Sequence, residues 1–457
     1  MAKKRRHISP LLILPLALIL VPLALLAFES HRTGLSWKDV ISRIGRHAVS
    51  EEQPKETMQK TETGEKIDFL SDPIPIGAEN PGEKHTIAHV AIYDLDQDGL
   101  NDVLVCDVLH RQIGWIRQFP AGTYTERKIG QTVDGPAHVE AYDMDKDGDL
   151  DVLVASMGVI LPDNDRIGKV IVMENDGRQN FTNHVLAERI ARVTDLQAGD
   201  MDGDGDIDLV AGQFGYDQGE IRWMENRGDW QFGSHILLKL SGTIHTPIVD
   251  FDNDGDLDVI ALVSQEWEEI YCFENNGKGK FKTRLLYGAA DADYSSSGIG
   301  LADMDQDGDV DILWANGDAF VATDYRPLPT HGMQWLENVG DMKVKFHRLG
   351  HFNGAYDPCA ADFDGDGDPD VLAVSAFNYW NRPGTQSMMW WQNMGNGRFV
   401  GRDLAEEPTH LITCDVADMN GDGKIDIVTG SMNLYPPFDR IGRVTLFLNK
   451  WQKNENN

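Results

Sequence analysis

Asp94-Leu-Asp-Gln-Asp-Gly-Leu-Asn-Asp102 returns six more times in a chain of 457 residues. The copies are Asp143–Asp151, Asp200–Asp208, Asp250–Asp258, Asp303–Asp311, Asp362–Asp370 and Asp418–Asp426. All read D-x-D-x-D-G-x-x-D, except that Asn420 takes the place of the second Asp in the last. Successive first Asp residues are 49, 57, 50, 53, 59 and 56 positions apart, so one supersecondary unit recurs seven times.

The nine residues have the chemistry of a hard-cation loop. Carboxylates at positions 1, 3 and 5 converge, the glycine at 6 permits a sharp turn, position 7 offers its carbonyl, and position 9 closes the cage. Such an all-oxygen, flexible set suits calcium, with 6–8 ligands, better than magnesium, which demands a tight octahedron. The candidate ligands are Asp94, Asp96, Asp98 and Asp102; Asp143, Asp145, Asp147 and Asp151; Asp200, Asp202, Asp204 and Asp208; and Asp250, Asp252, Asp254 and Asp258. The last three loops add Asp303, Asp305, Asp307 and Asp311; Asp362, Asp364, Asp366 and Asp370; and Asp418, Asn420, Asp422 and Asp426. Up to seven structural calcium ions are expected. The Glu that an EF-hand places at position 12 is missing; Val105 stands there in the first copy. Apolar runs such as Val103-Leu-Val, Val152-Leu-Val and Val371-Leu-Ala follow the loops, so each loop joins two strands.

The formal net charge is −33, and the four ligand positions of the seven loops supply 27 of the 74 acidic residues. Seven calcium ions would bring the charge to −19. Nucleic acid and anionic lipid surfaces are therefore poor partners for this surface. The amino terminus differs from the rest. Lys3-Lys-Arg-Arg6 precedes 21 uncharged, mostly apolar residues, Ile8–Phe28, a length that spans a bilayer although Pro15 and Pro22 would kink it. The basic flank predicts that end in the cytoplasm, with the bulk of the chain outside, periplasmic or extracellular. A signal anchor over 1–28 is expected, with a cleaved signal peptide as the competing reading. Residues 29–66 read as a flexible tether containing a short amphipathic helix at Ser36–His47, and residues 451–457 as a tail.

Aligning the copies gives four strands per unit. The third ends in a signature: Trp223-Met-Glu-Asn226, Trp335-Leu-Glu-Asn338, Trp390-Trp-Gln-Asn393 and, more loosely, Trp115-Ile-Arg-Gln118 and Cys272-Phe-Glu-Asn275. A turn and a fourth strand follow, as at Phe232-Gly-Ser-His235. Four antiparallel strands in some fifty residues make a propeller blade, so the fold class is all-β, a seven-bladed β-propeller spanning 67–450. The Trp and Phe residues are expected to pack between blades. The seventh copy lacks a fourth strand, and Ile67-Asp-Phe-Leu-Ser-Asp-Pro-Ile74 is expected to supply it from the other end of the chain.

These loops and their spacing resemble the FG-GAP/VCBS repeat family, which includes the integrin α propeller. The resemblance covers roughly residues 67–450 and implies calcium in the loops on one face of the disc. The Phe-Gly and Gly-Ala-Pro sequences that name the integrin repeats are not reproduced; Gly135-Pro-Ala137 is the nearest fragment. The family implies exported adhesion, surface-binding or carbohydrate-associated modules.

Ligands are expected on the face away from the loops. There the connections Ser156–Lys169, Ala315–Gly332, Ala376–Gln386 and Ser431–Arg443 are long and carry Tyr325, Tyr379, Trp380, Tyr435 and Phe438. Such a surface suits a protein or glycan partner; packing of these aromatics within their own loops is the alternative. Five residues before each loop stand His89, His138, Asp195, His245, Gly298, Asp357 and Thr413, a ring at the channel mouth. The five His and Asp residues form a candidate acid–base or metal ring, which would make the protein a calcium-dependent polysaccharide-acting enzyme. Separation around a sevenfold ring argues that they do not converge. Cys359 and Cys414 lie at offsets of three and four residues from their loops and are expected to face opposite ways, unpaired. No G-x-S-x-G, H-E-x-x-H or Walker pattern is present.

Overall fold

Six apolar runs that follow the loops become strands buried on both faces: Asp102–Asp107, Asp151–Ser156, Asp258–Val263, Asp311–Asn316, Asp370–Ser375 and Asp426–Ser431. A strand loses water on both faces only when sheets pack on either side, and that is the arrangement seen. The computed structural model describes residues 10–48, 69–78, 84–161, 163–215, 217–265, 267–289, 294–320 and 325–451. They form seven antiparallel sheets, six of them with their strands in sequential order and the seventh completed by the first strand of the chain. The first strands of successive blades, such as Ile87–Tyr93 and Pro136–Tyr142, contact one another around the axis. Outer strands such as Tyr124–Ile129 are half exposed.

One strand is irregular. The innermost strand of blade 4 splits into Thr243–His245 and Ile248–Val249 around Pro247, which has no N–H for the ladder, although its carbonyl still accepts from Ile260 N–H at 2.9 Å.

Each of seven apolar clusters bridges two neighbouring blades. Trp115 packs between blades 1 and 2, Trp223 between 3 and 4, Trp335 between 5 and 6, and Trp390 between 6 and 7. The seventh cluster, with Ile87, Val90, Val428 and Leu446, joins blade 7 to blade 1. Ring closure is covalently crossed as expected. Ile74–Pro75 pairs with Val444–Phe447 as the outer strand of blade 7. Ser71 N–H donates to Leu448 carbonyl at 2.8 Å, and Lys450 N–H to Phe69 carbonyl at 2.8 Å. Phe69 is fully buried and stacks on Trp390 at 4.7 Å. Ile67 and Asp68 of the expected segment lie outside the described residues.

Five of the seven blades are also joined to their predecessor by a polar clamp at the end of the third strand. Asn338 N–H donates to Asp311 Oδ1, position 9 of its own loop, at 2.7 Å. Its side-chain amide donates to Val310 carbonyl in the same loop and to Phe251 carbonyl in the loop of the preceding blade. Asn275, Asn393 and Asn449 reach the preceding loop in the same way. Gln118 closes the circle by reaching Met419 carbonyl.

The amino-terminal region corrects one expectation. Helices α1 (Pro10–Thr33) and α2 (Trp37–Ala48) are joined by Gly34, whose φ of +73° ends α1. Ser36 caps α2, accepting from Asp39 N–H at 3.3 Å. Leu35 and Val40 are buried with Tyr271 and Phe273. Arg43 Nε donates to both oxygens of the buried Glu269 carboxylate, at 2.9 and 3.0 Å. Residues 29–48 are therefore docked on the propeller rather than forming a flexible tether, because apolar and charged side chains on one side of α2 find partners. Residues 49–66 of that tether, the basic run and the last six tail residues lie outside the described residues. Trp37, Ile41 and Ile44 on α2, with Leu23, Leu25 and Phe28 on α1, are exposed. Among the described residues no helix is long and apolar enough to cross a membrane.

A second correction concerns the cysteines. Cys359 and Cys414 point from opposite sheet faces as expected, yet their sulfurs lie 3.4 Å apart, as free thiols. In a propeller the opposite faces of adjacent sheets look at each other, so differing offsets bring the two side chains together.

Two substitutions test these joints. Phe69→Ala should cost about 3–5 kcal/mol in urea unfolding, since it empties the core of the closing strand. Asn338→Ala should cost about 1–3 kcal/mol, by leaving buried carbonyls of two loops without a donor; a change under about 0.5 kcal/mol would show that the clamp is idle.

Candidate functional site

The seven acidic loops share one backbone geometry. The glycine at position 6 has φ between +83° and +101° in every copy, a region closed to most side chains. Its N–H donates to the position 1 carboxylate in each, from 2.7 Å for Gly423–Asp418 to 3.1 Å for Gly148–Asp143. Position 2 is an apolar plug, buried in every copy, from Leu95 to Met419. In Asp94, Asp96 and Asp102, and likewise in Asp143, Asp145 and Asp151, carboxylate oxygens lie within 4.8 Å of one another.

Position 9 is the most constrained. One oxygen of Asp258 accepts from Asn275 N–H at 2.7 Å and the other from Phe251 N–H at 3.2 Å. Burial pushes these carboxyls up despite such bonds: Asp102, Asp208 and Asp426 to about 6, Asp151, Asp258 and Asp311 to about 7, and Asp370 to about 8. A buried group that resists ionisation beside two or three more carboxylates fits a site that gains from a bound cation. The donors are all oxygen, so the residues suit a hard cation such as calcium.

Loop 1 departs from the others. Where the third strands of blades 2 to 5 place Glu174, Glu225, Glu274 and Glu337, blade 1 has Arg117. Its guanidinium lies 2.5 Å from Asp96 Oδ2 and 3.0 Å from Asp98 Oδ2. The protein thus carries its own cation in this loop. The signal was visible in Trp115-Ile-Arg-Gln118 as the one basic residue in the signature.

On the opposite face the propeller axis opens into a cavity of about 1020 Å³. Ala137, Met157, Phe214, Ile412 and Met432 form apolar walls, while Glu268, Ser295, Ser296 and Asp318 gather on one side. Glu268 accepts from Ser295 and Ser296 N–H, each at 3.1 Å, and burial pushes it up to about 8. Nothing in its sequence context singled it out, because its place on the cavity wall comes from the blade 4 to blade 5 contact.

The axial ring forms part of this cavity and converges, against expectation. His89 and His138 have ring centroids 4.3 Å apart. His138 Nδ1 lies 3.2 Å from Asp195 Oδ1, and His245 Nδ1 lies 3.9 Å from Asp195 Oδ2. The chain narrows at its axis enough for neighbouring side chains to touch, which spacing along the sequence does not reveal. Burial, then the neighbouring His138 and His245, holds His89 well below the usual imidazole range. Burial also lowers His138, with Asp195 pulling the other way. Burial pushes Asp195 up, but His138 and His245, together with hydrogen bonds from Gln197 and Thr246, hold it below the usual carboxylate range.

The long-loop aromatics are consumed in packing. Tyr325 stacks on Tyr435 at 5.4 Å and on Phe377 at 6.0 Å, and Trp380 is buried. Tyr435 hydroxyl donates to Asn378 carbonyl at 2.6 Å. Large apolar rings beside one another on a solvated loop lower exposed area by stacking, so the expected open aromatic surface is a small core instead.

Residues 94–154, 200–261 and 250–314 match the model of the FG-GAP-like repeat. No curated protein sequence matches the chain. Two solved structures are similar in fold: BBS1N in complex with ARL6DN soaked with lead, TM-score 0.51, and the same complex soaked with mercury, TM-score 0.52. Each is 11% identical over 84% of this chain and 98% of the other. The repeated acidic hairpins and the seven sheets agree with that match: the chain is a seven-bladed β-propeller that carries FG-GAP-like repeats in three positions.

Proposed function

We propose that this is an exported, membrane-anchored, calcium-stiffened propeller that binds a protein partner in the axial cavity opposite the acidic loops. The cavity carries the reading: it is large, apolar on most walls and polar on one, as binding clefts are. The aromatic surface that would favour a glycan is packed away around Phe377, which favours a protein segment. The BBS1N propeller is crystallised with the protein ARL6DN, a precedent for the fold in protein binding. Anchoring rests on the apolar sequence before Phe28 and on the exposed Leu23, Leu25, Trp37, Ile41 and Ile44, which would lie at the lipid surface. The convergence of His138, Asp195 and His245 favours a second reading, cleavage of a polysaccharide entering the cavity.

Calcium would occupy six loops and Arg117 the first. Binding to the folded form alone would then raise stability with calcium concentration.

Titration of the chelator-treated protein should count six calcium ions, and Arg117→Ala should raise the count to seven. Seven in the unsubstituted protein would show that the guanidinium yields to the ion. For the partner, a photocrosslinker placed at Met432 should give a discrete protein adduct in the cell envelope. Ala137→Trp, which narrows the cavity, should abolish it while the melting temperature in calcium is kept. Shortened polysaccharide on incubation with the purified chain, lost with His138→Gln, would replace binding with the enzyme reading.

A further inference from the structure

Strand alternation turns one side chain per blade toward the axis at the height of the cavity floor, and blades 1 to 4 contribute His89, His138, Asp195 and His245 in succession. Asp195 is the fixed member. It is buried, and its carboxylate accepts from Thr246 N–H at 2.5 Å and from Gln197 Nε2 at 3.0 Å. His138 Nδ1 and His245 Nδ1 approach its two oxygens at 3.2 and 3.9 Å.

The approach of His138 is not a hydrogen bond. Its Nδ1 is buried and has no hydrogen-bond partner, although a carboxylate oxygen lies 3.2 Å away. A short separation without hydrogen-bond alignment is what two ligands of one ion show: metal–ligand bonds of 2.0–2.1 Å at tetrahedral angles put donor atoms roughly 3.3 Å apart. Asp357, on the far side of the ring, acts electrostatically on both His138 and His245. Gly298 leaves space beside His245: a Cβ there would lie 3.5 Å from Nε2.

We propose that His138 Nδ1, Asp195 and His245 Nδ1 bind one divalent transition-metal ion, of the zinc, cobalt or nickel class, at the cavity floor. Imidazole nitrogens select such borderline ions over calcium, so this site and the all-oxygen loops take different metals. Three protein ligands leave a coordination position toward the cavity for a donor atom of an incoming ligand. The site goes beyond the protein-binding reading and stands whether or not a partner enters the cavity.

The test uses the full-length chain in detergent, dialysed against cobalt in millimolar calcium so that the loops are saturated. One equivalent of cobalt should remain, with a visible d–d band of nitrogen-ligated, tetrahedral type. His138→Gln/His245→Gln should weaken cobalt binding at least tenfold. Should the double variant misfold, the spectrum of the unsubstituted protein still decides. No retained cobalt, an octahedral all-oxygen spectrum, or an unchanged equivalent in a folded double variant would each overturn the site.

Discussion

The buried carboxylate that ends each acidic loop is the joint on which the architecture depends. In blade 5, Asp311 accepts from Met304 N–H at the start of the loop and from Asn338 N–H at the end of the third strand. One side chain therefore closes the loop on itself and ties the first hairpin to the second. The next residue outward, Asn338, then ties the blade to its predecessor through Phe251 carbonyl. Present in five of the seven blades, the contact makes one loop geometry serve hairpin, blade and disc. It also explains the glycine at position 6, since only a left-handed residue there lets the chain double back under the carboxylate.

The same joint sets a cost. Carboxylates held in partial burial resist ionisation, and position 9 is pushed toward neutral pH in all seven loops by loss of water. A cation offsets that cost. Loop 1 meets it with a guanidinium. The face away from the loops keeps its variety in loop length and side-chain type, where Met157, Phe214 and Glu268 come together from three blades.

α2 adds a constraint on orientation. With Arg43 buried against Glu269 and Val40 in the core of blades 3 and 4, the helix is part of the propeller's surface rather than a leash. Its exposed Trp37, Ile41 and Ile44 then have a fixed direction relative to the cavity.

The sequence by itself determined the number of blades, the place of the loops within them and the crossing of the ring by the segment Ile67–Ile74, whose end pairs as the outer strand of blade 7, because these follow from local chemistry and from counting strands. It determined the axial ring as a set of residues but misjudged its closeness. Only the tertiary structure decided that His89, His138, Asp195 and His245 touch, that Cys359 faces Cys414, and that Tyr325 and Tyr435 stack on each other instead of facing solvent. The physical reason is common to all three. Side-chain direction within a strand is local and alternates by rule, whereas the distance between two strands of different blades depends on how tightly the whole ring packs. Asn338 shows the same limit from the other side: its own strand was legible, and its partner 87 residues away was not.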